Sequence, residues 1–151
     1  MPKHIPNNYH AVTPYLIVDD AAAALEFYKR VIDAKEEMRM PRPDGKIGHA
    51  EIVIGDSRVM LADEAPAMGA YAPKHFNGSP VTLMVYVPDV DATYKTAVAA
   101  GAKTERPPED QFYGDRTAGV TDPWGHKWYF ATHVRDVTPE EMKAHMAKGS
   151  S

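Results

Sequence analysis

The chain has 151 residues, a net charge of −4, 44% hydrophobic and 25% charged residues, and no cysteine. Lacking cysteine, it has no disulfide, thiolate metal site or cysteine nucleophile, and its acidic balance offers no field for nucleic acid or an anionic membrane surface. The length suits one domain with its own core; no apolar run could span a membrane and the opening MPKHIPNNYH lacks a signal-peptide core, so the expectation is a cytoplasmic protein.

Residues 1–9 read as an irregular arm. AVTPYLIV at 11–18 suits a strand, with Pro14 arguing for an edge or bulged position. Asp19 and Asp20 offer a helix cap. Ala21, Ala24, Leu25, Tyr28, Val31 and Ile32 then recur at three- and four-residue spacing, the pattern of an amphipathic helix. A short strand at 35–40, a PRPDG loop at 41–45 and a hairpin of strands 49–54 and 57–62 complete a first β-α-β-β-β module, about 9–63.

A connector rich in Pro and Gly follows at 64–79. The second module, about 80–134, repeats the order: a strand at 81–87, a helix capped by Asp89 and stopped by Gly101, and a short strand at 103–106 before Pro107 and Pro108. Its hairpin lies in DQFYGDRTAGVTDPWGHKWYF (110–130), where Pro123 fixes φ and Gly125 permits positive φ at the reversal. TPEE at 138–141 is a capping box with Pro at the first helical position, predicting a short helix at 139–147; KGSS after it is expected to fray. The modules recur at an offset of about seventy residues, weakly in letters and well in the order of elements. The chain therefore reads as a single α+β domain made of two copies of one unit.

Two βαβββ modules, with LIVDDAAAALEFYKRVIDA in the first and TDPWGHKWYFAT in the second, resemble the vicinal oxygen chelate superfamily of glyoxalase I, bleomycin resistance proteins and extradiol dioxygenases. GKIGHAEIVIGDSRVMLADE, VPDVDATYKTAVAAGA and DQFYGDRTAGVTDPWGHKW look like its PhnB-like branch. The resemblance implies a curved mixed sheet around a ligand cavity, a short C-terminal helix added here, and a homodimer. It also implies four metal-ligand positions, which in this chain are Thr13, Met60, Thr82 and Tyr129. None is the His, Glu or Gln such a site needs, so no metal and no other cofactor is expected. Binding of a small, anionic or planar molecule is the leading expectation. The alternative is a metal-dependent lyase, isomerase or dioxygenase relative with a shifted site, a divalent metal then being required.

Strand parity nominates the cavity residues. His49 and Glu51 share a face opposite Ile52 and Ile54, and a histidine there could contact ligand, act as a base or simply bond a neighbouring strand. Tyr15, Tyr86 and Tyr129 fall on the cavity parity of their strands. Arg116, with Ala118 and Val120, is expected to point inward and join Arg58 and Glu51. There it would meet an anionic ligand, or else pair with Asp110 or Asp115. Phe112, Tyr113 and Trp124 are expected in loops at the cavity mouth. His126 is read as a turn-bonding residue, His133 as an exposed strand end, and His4, His10, His75 and His145 as surface residues. No Ser-His-Asp order, P-loop or dinucleotide glycine motif supports another chemistry, and no residue is assigned a catalytic role.

Overall fold

Asp20 opens the first helix, α1 (Ala21–Ile32), and accepts a hydrogen bond from the Ala23 amide at 3.1 Å. Asp89 opens the second, α2 (Val90–Ala99), and accepts from the Ala92 amide at 3.2 Å. Each carboxylate satisfies an amide with no partner inside its helix and sits at the positive end of the helix dipole. The computed structural model describes residues 2–149. The chain divides into two compact units, Met1–Pro80 with Pro123–His126, and Val81–Asp122 with Lys127–Ser151.

In the first unit β1 (Tyr15–Val18), β2 (Lys35–Pro41), β3 (Ile47–Ile54) and β4 (Ser57–Asp63) form a mixed sheet of order β1-β4-β3-β2, in which only β1 and β4 run parallel. α1 packs on one face of this sheet. Its Ala24, Leu25 and Tyr28 are buried with Val18, Ile52 and Leu61, and this apolar interface is the core of the unit. The turn Pro123–His126 belongs to the same unit. Its Trp124 is only 7% exposed and stands edge-on to Phe27, ring centres 5.5 Å apart, and to Tyr28 at 6.1 Å. The expected place for Trp124, a loop at a cavity mouth, is therefore wrong. Burial against α1 takes its large apolar surface out of water.

The second unit repeats the plan with β5 (Thr82–Tyr86), β6 (Lys103–Asp110), β7 (Asp115–Thr121) and β8 (Lys127–His133), in the order β5-β8-β7-β6. α2 packs on β6, β7 and β8. A third helix, α3 (Pro139–Ala147), is capped by Thr138, whose hydroxyl accepts from the Glu141 amide at 3.1 Å as the capping box predicts. Phe112 in the β6–β7 loop stacks on His145 of this helix, ring centres 4.0 Å apart.

The duplication is visible in register. Tyr15 faces Met60 across β1 and β4, and Met84 faces Tyr129 across β5 and β8. The pairs Tyr15/Met84, Asp20/Asp89, Met60/Tyr129 and Asp63/Thr132 are all separated by the same interval in sequence. Asp63 accepts from the Ala21 amide at 2.8 Å, and Thr132 accepts from the Val90 amide at 3.1 Å, so both fasten the first turn of their unit's long helix.

Two boundaries depart furthest from expectation. β1 starts at Tyr15 rather than at residue 11, although the Pro14 carbonyl still takes the Met60 amide at 2.9 Å. β6 does not stop before Pro107 but runs to Asp110 with register shifts at Thr104/Arg106 and Arg106/Glu109. It is an edge strand, where prolines and bulges are tolerated because one side of the ladder needs no donor. Of the tail expected to fray, Ser150 and Ser151 lie outside the described residues.

Candidate functional site: a tyrosine–histidine–glutamate chain on the first sheet

In β3 the buried Ala50, Ile52 and Ile54 face α1, so His49 and Glu51 stand on the other, helix-free face. In β4 the buried Val59 and Leu61 put Arg58 and Met60 on that same face, and Tyr15 joins them from β1. Glu51 pairs with Met60, and Met60 with Tyr15, so three neighbouring strands bring these side chains into one row.

The polar members form a continuous chain. Tyr15 Oη lies 2.8 Å from His49 Nδ1, and His49 Nε2 lies 2.8 Å from Glu51 Oε2. A carboxylate only accepts, so Nε2 carries the proton it donates to Glu51. In the neutral ring Nδ1 is then an acceptor, and the Tyr15 hydroxyl donates to it. Burial pushes the Tyr15 phenol above its ordinary value, so it stays protonated at neutral pH. With both donors used internally, the chain presents acceptors to solvent, the Tyr15 oxygen and Glu51 Oε1.

Glu51 and Met60 also line a cavity of about 550 Å3 whose other walls include Thr13, Tyr9, His10 and His4. A neighbouring cavity of about 390 Å3 shares Tyr9 and His10 and is also lined by Asn8 and Arg58. His4 and His10 are exposed, as expected of surface residues, and both line the larger cavity. Arg58 Nε donates to the Asn8 carbonyl at 2.9 Å, its guanidinium lies 5.0 Å from the Tyr9 ring centre, and Glu37 stands 3.8 Å away. This guanidinium is engaged by the chain itself.

On the second sheet Thr82, Met84, Tyr86 and Tyr129 occupy the helix-free face, as their parity predicts. Asp115, 5% exposed, gathers the polar groups there. It accepts from the Tyr86 hydroxyl at 3.1 Å and pairs with His133 Nδ1 at 2.7 Å, while His133 Nε2 lies 2.7 Å from Asp136. Hydrogen bonds to Asp136 and Asp115 raise the His133 pKa, and the bond to Asp115 raises that of Tyr86. His133 is exposed, as expected at a strand end, yet both its ring nitrogens are held. His126, in the turn of the first unit, is bonded through Nε2 to the Ile17 carbonyl of β1 at 2.8 Å, a long-range tie from turn to strand.

Arg116 requires a correction. Asp115, Thr117 and Gly119 pair with His133, Ala131 and Tyr129 on the helix-free face, which puts Arg116, Ala118 and Val120 on the α2 side. There the guanidinium grips Asp91 of α2 with Nε at 2.8 Å and Nη2 at 3.0 Å, and reaches Asp110 with Nη1 at 3.2 Å. These carboxylates raise its pKa further. Asp110 is thus a salt-bridge partner of Arg116, and Asp115, the other expected partner, bonds elsewhere.

The family-type ligand positions do not fit a metal. The first unit supplies Thr13 and Met60, the second Thr82 and Tyr129, which are two hydroxyls, a thioether and a phenol instead of imidazoles and carboxylates. Tyr129 lies across Gly119, where a Cβ would stand 2.5 Å from its ring. Among the described residues no three His, Asp or Glu side chains are grouped as metal ligands would be.

Comparison with known proteins places this geometry. An uncharacterised Mycobacterium bovis protein, Mb0911c, is 44% identical over 140 residues, covering 91% of this chain and 92% of its own. The uncharacterised Mycobacterium tuberculosis protein Rv0887c is equally identical over 91% of this chain and 82% of its own. TioX from Micromonospora sp. ML1 has a similar structure, with a TM-score of 0.65 at 29% identity, covering 83% of this chain and 99% of its own. A glyoxalase/bleomycin resistance protein/dioxygenase from Nocardioides shares the fold at a TM-score of 0.60 and 21% identity, over 91% and 90% of the two chains. A model of the Glyoxalase/Bleomycin resistance protein/Dioxygenase superfamily matches residues 9–130, and the chain belongs to that superfamily.

Proposed function

We propose that this protein binds a small molecule on the helix-free face of its first sheet, without a family-type metal, and that the ligand presents N–H or O–H donors to Tyr15 and Glu51. The observation that carries the reading is the Tyr15–His49–Glu51 chain beside a cavity that Glu51 itself lines. Ligand sites combine apolar walls with a few fixed polar groups, and here Met60 and Tyr9 supply the walls. The Tyr15 phenol, raised by burial, keeps its proton and so orients a ligand rather than deprotonating one. Arg58 and Arg116 are both engaged internally, which removes the support for an anionic ligand. Within the superfamily the motifs VPDVDATYKTAVAAGA and DPWGHKW support membership of the PhnB-like branch.

The test is fluorescence titration with three planar amino-bearing probes, proflavine, 9-aminoacridine and 2-aminobenzimidazole, against the anionic anilinonaphthalene sulfonate. Saturable binding of at least one amino probe is expected, weakened about tenfold in Glu51→Gln because a hydrogen bond to a charged acceptor contributes about 1.5–3 kcal/mol. A wild-type protein that binds none of the three, or Glu51→Gln and His49→Ala variants that bind as wild type does, would overturn the reading.

A further inference from the structure

Arg58 is the residue that turns an irregular arm into the wall of a cavity. The arm has no place in either sheet, and within it the Tyr9 amide donates to the Pro6 carbonyl at 3.2 Å. Its tie to the sheet is made from β4. Arg58 Nε reaches the Asn8 carbonyl at 2.9 Å across fifty positions of sequence, and the same guanidinium lies over the Tyr9 ring at 5.0 Å. Glu37 on β2 stands 3.8 Å from the same guanidinium. Arg58 is more than four-fifths covered although it carries a charge, since its side chain is only 16% exposed. A charge held this far from water needs such partners, and the arm provides two of them.

The consequence is local. Tyr9 and His10 are common to both cavities, so the segment that Arg58 fastens divides one from the other and stands opposite Glu51 and Met60. We propose that Arg58 is a positioning residue for ligand binding: by holding Asn8 and Tyr9 it sets the width of the 550 Å3 cavity and makes the arm, through His4, Tyr9 and His10, the wall that selects the ligand. The inference rests on the binding reading given above. It differs from that reading in assigning selectivity to a segment outside both sheets.

Arg58→Gln and Arg58→Lys separate a latch from a simple charge. Lysine keeps the ion pair with Glu37 but lacks Nε and the flat face that covers Tyr9. In hydrogen exchange on the ligand-free full-length protein, both variants are expected to speed exchange of the arm amides, Tyr9 included, while amides of β3 and β4 stay as protected as in wild type. In proflavine titration both are expected to bind about tenfold more weakly, about 1.4 kcal/mol, and Tyr9→Ala to lose discrimination between proflavine and 9-aminoacridine. Unchanged arm exchange in both variants overturns the latch, whatever the probes do. Faster arm exchange with wild-type proflavine affinity overturns the wall while leaving the binding reading in place. Recovery of wild-type behaviour by Arg58→Lys reduces the residue to a charge and also overturns the proposal. A wild-type protein that takes up none of the probes overturns the binding reading and the wall with it, and the exchange data then still decide the latch.

Discussion

Tyr129 lies across Gly119: the two are directly opposed on β8 and β7, and a Cβ on Gly119 would stand 2.5 Å from Tyr129 Cε1 and 2.8 Å from Cδ1. The ring rests on bare backbone, as aromatics do over glycine in a strand. Gly119→Ala must therefore displace it, and overpacking of this kind costs about 1–3 kcal/mol. Urea unfolding should show that loss in Gly119→Ala and a smaller one in the Gly119→Ala/Tyr129→Ala double variant, measured against Tyr129→Ala alone. A neutral single variant would mean the ring is not held there.

Asp63 and Thr132 occupy equivalent positions but carry unequal loads. Asp63 is buried and takes two amides, Ala21 at 2.8 Å and Ile47 at 2.7 Å, so it ties α1 and β3 to the end of β4. Thr132 accepts from the Val90 amide and donates to the Val87 carbonyl at 2.8 Å, in a partly exposed setting. Leaving a buried amide unpaired costs about 1–3 kcal/mol. Asp63→Ala should destabilise more than Asp63→Asn, which keeps one accepting oxygen, and both more than Thr132→Ala, at about 1 kcal/mol. Denaturation midpoints in the reverse order would refute the assignment.

Trp124 sits in a turn, where a tryptophan is usually a surface residue, yet it is packed on Phe27 and Tyr28. Truncating a buried indole costs about 3–5 kcal/mol, and a smaller aromatic keeps part of the contact. Trp124→Ala should thus lower the thermal midpoint well below that of Trp124→Phe. Equal midpoints would show that the indole contributes nothing to the core of the first unit.

How much of this could be read in sequence follows from which signals are periodic. The helices were legible because Asp20 and Asp89 cap runs of apolar residues at helical spacing, and the doubled order of elements gave the fold. His49 and Glu51 were legible as well, since Ile52 and Ile54 declare the helix side of β3 and leave the other face to them. Arg116 was not. In β7 one parity holds Thr117 and Gly119 and the other Ala118 and Val120, small residues on both sides, so the alternation does not say which face is covered; Asp91 on α2 decides it. The arm was legible as irregular, but the contact that seats it was not: Arg58 reaches Asn8 from fifty positions away, and no local pattern encodes such a contact.

His133 makes the pH behaviour of the second unit predictable. Its two ring nitrogens stand 2.7 Å from Asp136 and Asp115, and both can donate only when the ring is an imidazolium. The carboxylates therefore raise the pKa in the folded state above the ordinary value of about 6.5. The sign is fixed by linkage: the folded state binds the proton more tightly, so this contribution is fully present below about pH 6.5 and is lost as pH rises through the higher folded value. An NMR titration of the His133 ring should place its midpoint above that of a histidine in an unfolded peptide. Asp136→Asn and Asp115→Asn should each pull it down, and the urea midpoint of His133→Gln should fall less between pH 6 and pH 9 than that of wild type. The ring also joins Asp115, which the Tyr86 hydroxyl touches, to the segment leading into α3, so raising the pH should lower the exchange protection factors of residues 134–138, taken relative to the intrinsic rate at each pH, before those of β7 or β8. Protection factors that fall uniformly across the unit, or a His133 midpoint at or below the unfolded value, would show that the two aspartates do not hold a charged ring.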